Sequence, residues 1–499
     1  MLFIVLPSLK AQDDNSFNVY RKQKQEQYRK YRTAKGNEDR KYRERKRKEF
    51  EEYRYKKNQE FANRLGKTWV FVPMEEAVPA PIKPNPFVPE ATPKSSPNML
   101  APIPQEIEHG DIVLPKPIKE VKPIEIPERI TPITPDIKRD NISFFGTNVE
   151  IALDFNKQFR LSDVNEKSVK RMWEQLSNRT FDTVFDECAR IYSDLKLNGW
   201  AFYKFCKSVA EKIQGSSCNE ANVITTFLLT QMGYDARLVR INGGVYVMTP
   251  TNADVANVVY LIVNGKKYYV WDYEENGGAS YTYELNYEAA TRPLNLDQAS
   301  NMLISGEETS PRAFTSKINP NVTMNVSVNK SLMEYYRSMP LALDWSFYAR
   351  QPMSKSLSSQ VLPVLRRAIQ GKSEQEAANI IIYFVQTAFT YKVDQEWFGK
   401  EKYDYKEEPF YDQYCDCEDR AILYSDLVKN LLGLDAVLLH YPNHLSTAVK
   451  FNQEVKGDYV IVDGVKYIIC EPTFTDGGSI GNCMTQFKKC APIIHYIYR

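Results

Sequence analysis

The chain has four histidines, at 109, 440, 444 and 495, and eight cysteines, so any chemistry that needs an imidazole has few addresses. Cys417 stands where a loop rich in Tyr, Asp and Cys runs into the helix-patterned segment Glu418–Leu432. At the head of a helix the backbone N–H groups favour a thiolate. His444 follows twenty-seven residues later, on the loop into the strand-like run Leu445–Phe451, and Glu471 follows by another twenty-seven at the end of a second strand-like run. A thiol needs a neighbouring base to become a strong nucleophile, and an imidazole needs a third group to fix its tautomer. Cys417, His444 and Glu471 therefore have the types and order required for acyl transfer through a thioester. Oxyanion stabilisation would come from the backbone N–H of Cys417 and a nearby donor, with Gln413 and Tyr414 as the candidates. This chemistry needs no cofactor. The cysteines show no paired Cys-x-x-Cys spacing of a zinc site, so no metal is expected.

The segments that must position these residues occur twice. Ser217-Cys218 and the apolar run to Gly233 resemble Asp416-Cys417 and the run to Gly433. Val263-Asn-Gly-Lys-Lys-Tyr-Tyr-Val-Trp-Asp272 likewise matches Val462-Asp-Gly-Val-Lys-Tyr-Ile-Ile-Cys-Glu471, at a constant offset of 199 to 200 residues. Two blocks in one register predict two copies of an α+β domain. The first copy keeps Cys218 and Asp272, but no histidine lies between residues 110 and 439, and Gly243, Gly244 and Val245 stand near the expected base. That copy reads as a degenerate site with a binding or packing role; the rival is a composite site in which Cys218 borrows His440 or His444.

The motifs Cys-Asp-Cys417-Glu-Asp-Arg-Ala, Tyr-Pro-Asn-His444-Leu-Ser-Thr-Ala-Val and Tyr-Ile-Ile-Cys-Glu471-Pro-Thr resemble those of the transglutaminase-like branch of papain-fold cysteine enzymes. The resemblance covers roughly residues 375–495 and, in degenerate form, 200–275. It implies a Cys-bearing helix packed on an antiparallel sheet, with Cys417, His444 and Glu471 as the triad. Glu471 replaces the family's Asp and lengthens the orienting arm by one methylene. Cys415 falls where the family often has Gly; a redox partner is the alternative reading for it. The resemblance also implies a peptidase, an amidase or a transglutaminase, acting on a protein or peptide. Hydrolysis is favoured because bacterial relatives often hydrolyse. The competing reading is an inactive double-domain protein that binds peptide or glycan at the cell envelope.

The remaining sequence describes how the body is carried. Met1–Ala11 has the short apolar core and small-residue end of a secretory signal, without a basic residue before it, so the chain is expected to be exported to the periplasm, the outer surface or the medium. Residues 12–70 read as a helical arm. Nineteen Lys/Arg face eight Asp/Glu over 21–67, and Tyr20, Tyr31, Tyr42 and Tyr53 recur at eleven, as do Phe17, Tyr28, Phe50 and Phe61. Eleven residues are three helical turns, so the two series form one stripe on a nearly straight helix. The basic arm suits an anionic envelope surface or self-association; a solvated helix is the plain alternative. No specific nucleic-acid partner is indicated. Residues 71–140 contain sixteen of the twenty-eight prolines and read as a spacer separating arm from body. The degenerate domain is expected over 141–300, with an extended segment at Ile142–Leu153, and the catalytic domain over 301–499. After residue 12 no run of eighteen apolar residues occurs, so no membrane-spanning helix is expected. Cys483 and Cys490 could pair in an oxidising compartment.

Overall fold

The computed structural model describes residues 13–81, 139–153, 159–178, 181–275, 277–297 and 301–497. The expected export segment 1–11, nearly all of the proline-rich linker and His109 lie outside the described residues. Within them, no helix is long and apolar enough to cross a membrane. The fold is mixed α+β with two curled antiparallel sheets.

Helix α1 spans Asp13–Leu65 and is 53 residues long, about 80 Å at 1.5 Å per residue. Gly36 does not break it. Its C-terminal part is built into the body. Phe61, Ala62 and Leu65 are buried in the core, Arg47 donates to Asp186, and Arg54 pairs with Asp182 and lies over the Phe185 ring at 4.3 Å. Of the two aromatic series, Phe50 and Phe61 face the body, whereas Tyr42 and Tyr53 are exposed; the side chains of Phe17, Tyr20, Tyr28 and Tyr31 lie outside the described residues. The chain then adds β1 (Val70–Phe71) and β2 (Met74–Glu75) to opposite edges of the first sheet. The expectation of a spacer from residue 71 is therefore corrected: arm and body are joined through residue 75, because residues 70–75 find unpaired strand edges to bond.

The segment at Ile142–Leu153 is a hairpin, β3 (Arg139–Phe144) and β4 (Thr147–Ala152), turned at Phe145 and Gly146, both with positive φ. Four helices follow: α2 (Glu166–Leu176), α3 (Asp182–Asp194), α4 (Gly199–Gln214) and α5 (Asn219–Gln231). Asn165 and Asn198 cap α2 and α4 by accepting backbone N–H groups. The sheet strands are β5 (Arg237–Ile241), β6 (Gly244–Thr249), β7 (Tyr260–Val263), β8 (Lys266–Val270) and β9 (Ser280–Thr282).

The second half begins with the hairpin β10 (Arg312–Thr315) and β11 (Thr323–Val326). The helices α6 (Lys330–Ser338), α7 (Trp345–Arg350), α8 (Lys355–Ile369) and α9 (Glu374–Ala388) follow. The short strands β12 (Thr390–Tyr391) and β13 (Tyr414–Cys415) pair in parallel, with α10 (Asp394–Trp397) and α11 (Glu408–Asp412) between them. Helix α12 (Cys417–Leu432) leads into the second sheet: β14 (Asp435–Tyr441), β15 (His444–Lys450), β16 (Tyr459–Val462), β17 (Val465–Cys470) and β18 (Ile493–Tyr496).

The inner five strands of the first sheet repeat the order of the second. The first sheet runs β1-β9-β5-β6-β8-β7-β2 and the second, read from its far edge, β18-β14-β15-β17-β16, with every neighbouring pair antiparallel. One continuous apolar core, from Phe61 to Ile497, joins helices and sheets across both halves. The other face of each sheet has its own smaller cluster.

Candidate active site

Helix α12 starts where the sequence places it because Asp416 and Asp419 form a reciprocal capping box, with the Asp416 N–H donating to Asp419 Oδ2 at 3.1 Å. Cys417 is the first helical residue and is fully buried. Its Sγ–H donates to Glu418 Oε2 at 3.0 Å. The surrounding loop is acidic. Carboxylate oxygens of Asp394, Glu401 and Glu418 lie within 4.8 Å of one another, as do the ligand atoms of Asp416, Cys417 and Glu418; these two groups are where a cation would find donors. Burial, reinforced by Asp416, Asp419 and Glu418, raises the Asp394 carboxyl far above the usual range. Burial and Asp416 raise Asp419 to about 7, against the pull of Lys402. Lys402 sits between Asp404 and Glu408, 2.8 Å from Glu408 Oε1. The helix-end field at the sulfur is thus opposed: negative charge there would face Glu418 and Asp416.

His444 opens β15 directly after the turn residue Asn443, whose φ is +59°, and Glu471 follows the last residue of β17. His444 Nε2 and Glu471 Oε2 are 2.9 Å apart, and both side chains are buried. An ionised Glu471 can only accept, which would put the hydrogen on Nε2 and leave Nδ1 as the nitrogen that would take a thiol proton. The other oxygen of Glu471 accepts the Thr473 N–H at 3.0 Å, a role for the Glu-Pro-Thr motif, and the extra methylene of Glu is accommodated. Gln386 on α9 donates to the Glu471 carbonyl at 2.8 Å and to the Gly478 carbonyl at 2.9 Å. Phe487, from a 3-10 turn at Thr485–Phe487, lies parallel to the imidazole with centroids 5.1 Å apart and 1° between the planes. Tyr441 stacks on Phe487 at 4.7 Å. The imidazole is held by a carboxylate at one nitrogen and a ring against its face. Helix α12 packs on β15, so the element headed by Cys417 lies against the strand headed by His444. Nothing in the sequence around Phe487 or Gln386 signals these contacts.

Arg420 fastens α12 to the end of α9. Its guanidinium donates to the Gln386 and Phe389 carbonyls at 3.1 and 3.0 Å and to Cys415 Sγ at 3.3 Å. Burial pushes the Cys415 thiol up to about 12, which suits an inert packing role. Gln413 is exposed in the left-handed conformation, and its backbone N–H donates to the Pro409 carbonyl at 3.0 Å. Its side-chain amide therefore stays a candidate oxyanion donor, but its backbone does not. Tyr414 is half-buried, with its ring 4.5 Å from that of Trp397. No disulfide joins any of the eight cysteines, all of which lie in the described residues; Cys483 is buried and Cys490 half-buried.

The corresponding region of the first sheet is arranged differently. Cys218 is the N-cap of α5 and is half-buried; burial and Glu220 push its thiol up. Gly244 opens β6 as His444 opens β15, and a Cβ there would come within 2.7 Å of the Tyr246 ring. Asp272, with φ +60°, accepts from Tyr203 Oη at 2.7 Å and pairs with Lys207. Burial raises its carboxyl, but Lys207, Lys204 and Tyr203 outweigh burial and hold it below the usual range. The histidines that a composite site would borrow are engaged elsewhere: His444 with Glu471, and His440 edge-on against Trp345 at 4.7 Å. Comparison with models of protein families, with curated proteins and with solved structures finds no match to this chain.

Proposed function

We propose that this chain is an exported cysteine acyl-transfer enzyme, similar to the transglutaminase-like branch of papain-fold enzymes, that hydrolyses amide bonds in a protein or peptide. The observation that carries this reading is the buried His444–Glu471 pair at 2.9 Å, set on the strand against which the Cys417 helix packs. In the first step the Cys417 proton passes to His444 Nδ1, and the sulfur bonds to the amide carbon. The C–N bond then breaks, and the amine leaves with the proton from His444. Water, deprotonated by the same imidazole, attacks the thioester carbon; the C–S bond breaks, the acid leaves, and the imidazolium returns its proton to the Cys417 sulfur. Glu471 holds the tautomer and stabilises the imidazolium. Because Cys417 is fully buried, the acidic loop before it must move for substrate to reach the sulfur. The basic arm, 21–67, would carry the enzyme to an anionic envelope surface.

A second reading, an inactive peptide- or glycan-binding protein, is favoured by the bond from the Cys417 thiol to Glu418 and by the glycine in the base position of the first copy. The two part on one experiment: incubation with 4-nitrophenyl acetate, followed by mass spectrometry. An acetyl adduct on Cys417 that disappears in Cys417→Ala and His444→Ala supports the enzyme. Turnover should fall about 10³–10⁴-fold in Glu471→Gln. No adduct on the wild-type chain leaves the binding protein.

A further inference from the structure

Five of the six tryptophans are buried, between 0% and 9% exposed, whereas Trp397 is 42% exposed. Its ring is nevertheless held. Tyr414 packs against it at 4.5 Å, and the Lys392 ammonium lies over both rings, 4.7 Å from Trp397 and 5.1 Å from Tyr414. Two routes bring this platform to the candidate nucleophile. Tyr414 precedes Cys417 by three residues. Trp397 shares α10 with Asp394, whose carboxylate lies with those of Glu401 and Glu418, and Glu418 accepts the Cys417 thiol hydrogen.

We propose that Trp397, Tyr414 and Lys392 form the substrate subsite beside Cys417, and that it takes an aromatic side chain of the peptide whose amide is attacked. The proposal rests on the acyl-transfer reading and specifies its substrate class. A cationic side chain is disfavoured because Lys392 already occupies the place over the ring faces where a cation would bind. An anionic one is disfavoured because the faces of both rings carry the negative end of the aromatic quadrupole. An uncharged flat ring gains from the exposed part of the indole without either conflict, through burial of apolar surface and offset or edge-on stacking.

The test compares N-acetyl-phenylalanine and N-acetyl-glycine 4-nitrophenyl esters, with the binding of N-acetylphenylalaninamide and of N-acetylglucosamine followed by titration calorimetry. The full chain should prefer the phenylalanine ester about tenfold or more in kcat/KM. Trp397→Ala should collapse that ratio towards one and weaken the amide at least fivefold, and Trp397→Phe should retain most of both. Amide binding that weakens in Trp397→Ala while neither ester is turned over supports the ring subsite and removes the acyl-transfer reading. Equal turnover of the two esters, an undiminished ratio in Trp397→Ala, no binding of the amide, or tighter binding of N-acetylglucosamine would each overturn the proposal.

Discussion

In the second sheet the hairpin β14–β15 opens on an imidazole bonded to Glu471. In the first, the equivalent hairpin β5–β6 opens on Gly244 beneath Tyr246, and Asp272 turns to Tyr203 and Lys207 instead. The five strands common to the two sheets follow the same order. Strand pairing and apolar filling do not depend on the residue that heads the strand, so one strand order is compatible with a histidine in one sheet and a glycine in the other. What fills each sheet also differs. The cluster around the first includes Val72, Met74 and Ala77, from the segment that also covers both sheet edges. The cluster around the second includes Phe474, Cys483, Met484 and Phe487, from the C-terminal loop. A segment from the arm stabilises one copy, while a loop after Glu471 both fills the other and lays a ring on His444.

If that division is right, the largest effect comes from removing residues 1–81. Phe61, Leu65 and Trp69 would leave the core, at roughly 1.5–3 kcal/mol each, and two sheet edges would be bared. The sum approaches the whole stability of a domain, about 5–15 kcal/mol. The truncated chain should aggregate or melt without a sharp transition by circular dichroism; a wild-type melting curve would show that the arm is not structural.

A smaller change sharpens the other side. Phe487→Ala should destabilise the fold by about 3–5 kcal/mol and lower acyl transfer by one to two orders of magnitude, because the imidazole loses the ring that fixes its plane. Phe487→Tyr or Phe487→Trp should restore rate in proportion to stacking. An alanine variant that melts earlier but turns over at the wild-type rate would confine Phe487 to packing.

The mildest effect concerns the thiol of the first copy. Burial and Glu220 raise the Cys218 pKa, and the thiolate is the reactive form. Iodoacetamide should therefore label Cys218 more slowly at neutral pH than it labels a free cysteine of pKa about 8.5, with the rate still climbing above that pH. A plateau near pH 7 would mean that Cys218 is activated and that the first copy is not idle.

Several of these features were legible in the sequence because they are local. A cysteine between a polar loop and an apolar run becomes the first residue of a helix; a Val-Asn-Gly-Lys or Val-Asp-Gly-Val stretch becomes a tight turn between two strands; a carboxylate at a strand end before Pro-Thr finds the Thr473 N–H. The constant 199–200 offset then predicts two similar units, since one hydrophobic and turn pattern repeated in register directs the same strand order twice. Only the tertiary structure decided that Val70 pairs with Thr282 and Met74 with Leu261, that Phe487 lies flat on His444, and that the Cys417 thiol meets Glu418 inside a buried acidic loop. Edge pairing and ring stacking depend on which surfaces meet after the chain has folded back over tens or hundreds of residues, and the field at a sulfur depends on carboxylates brought from Asp394 to Asp419. No local pattern records that arrangement, because each partner alone is compatible with many.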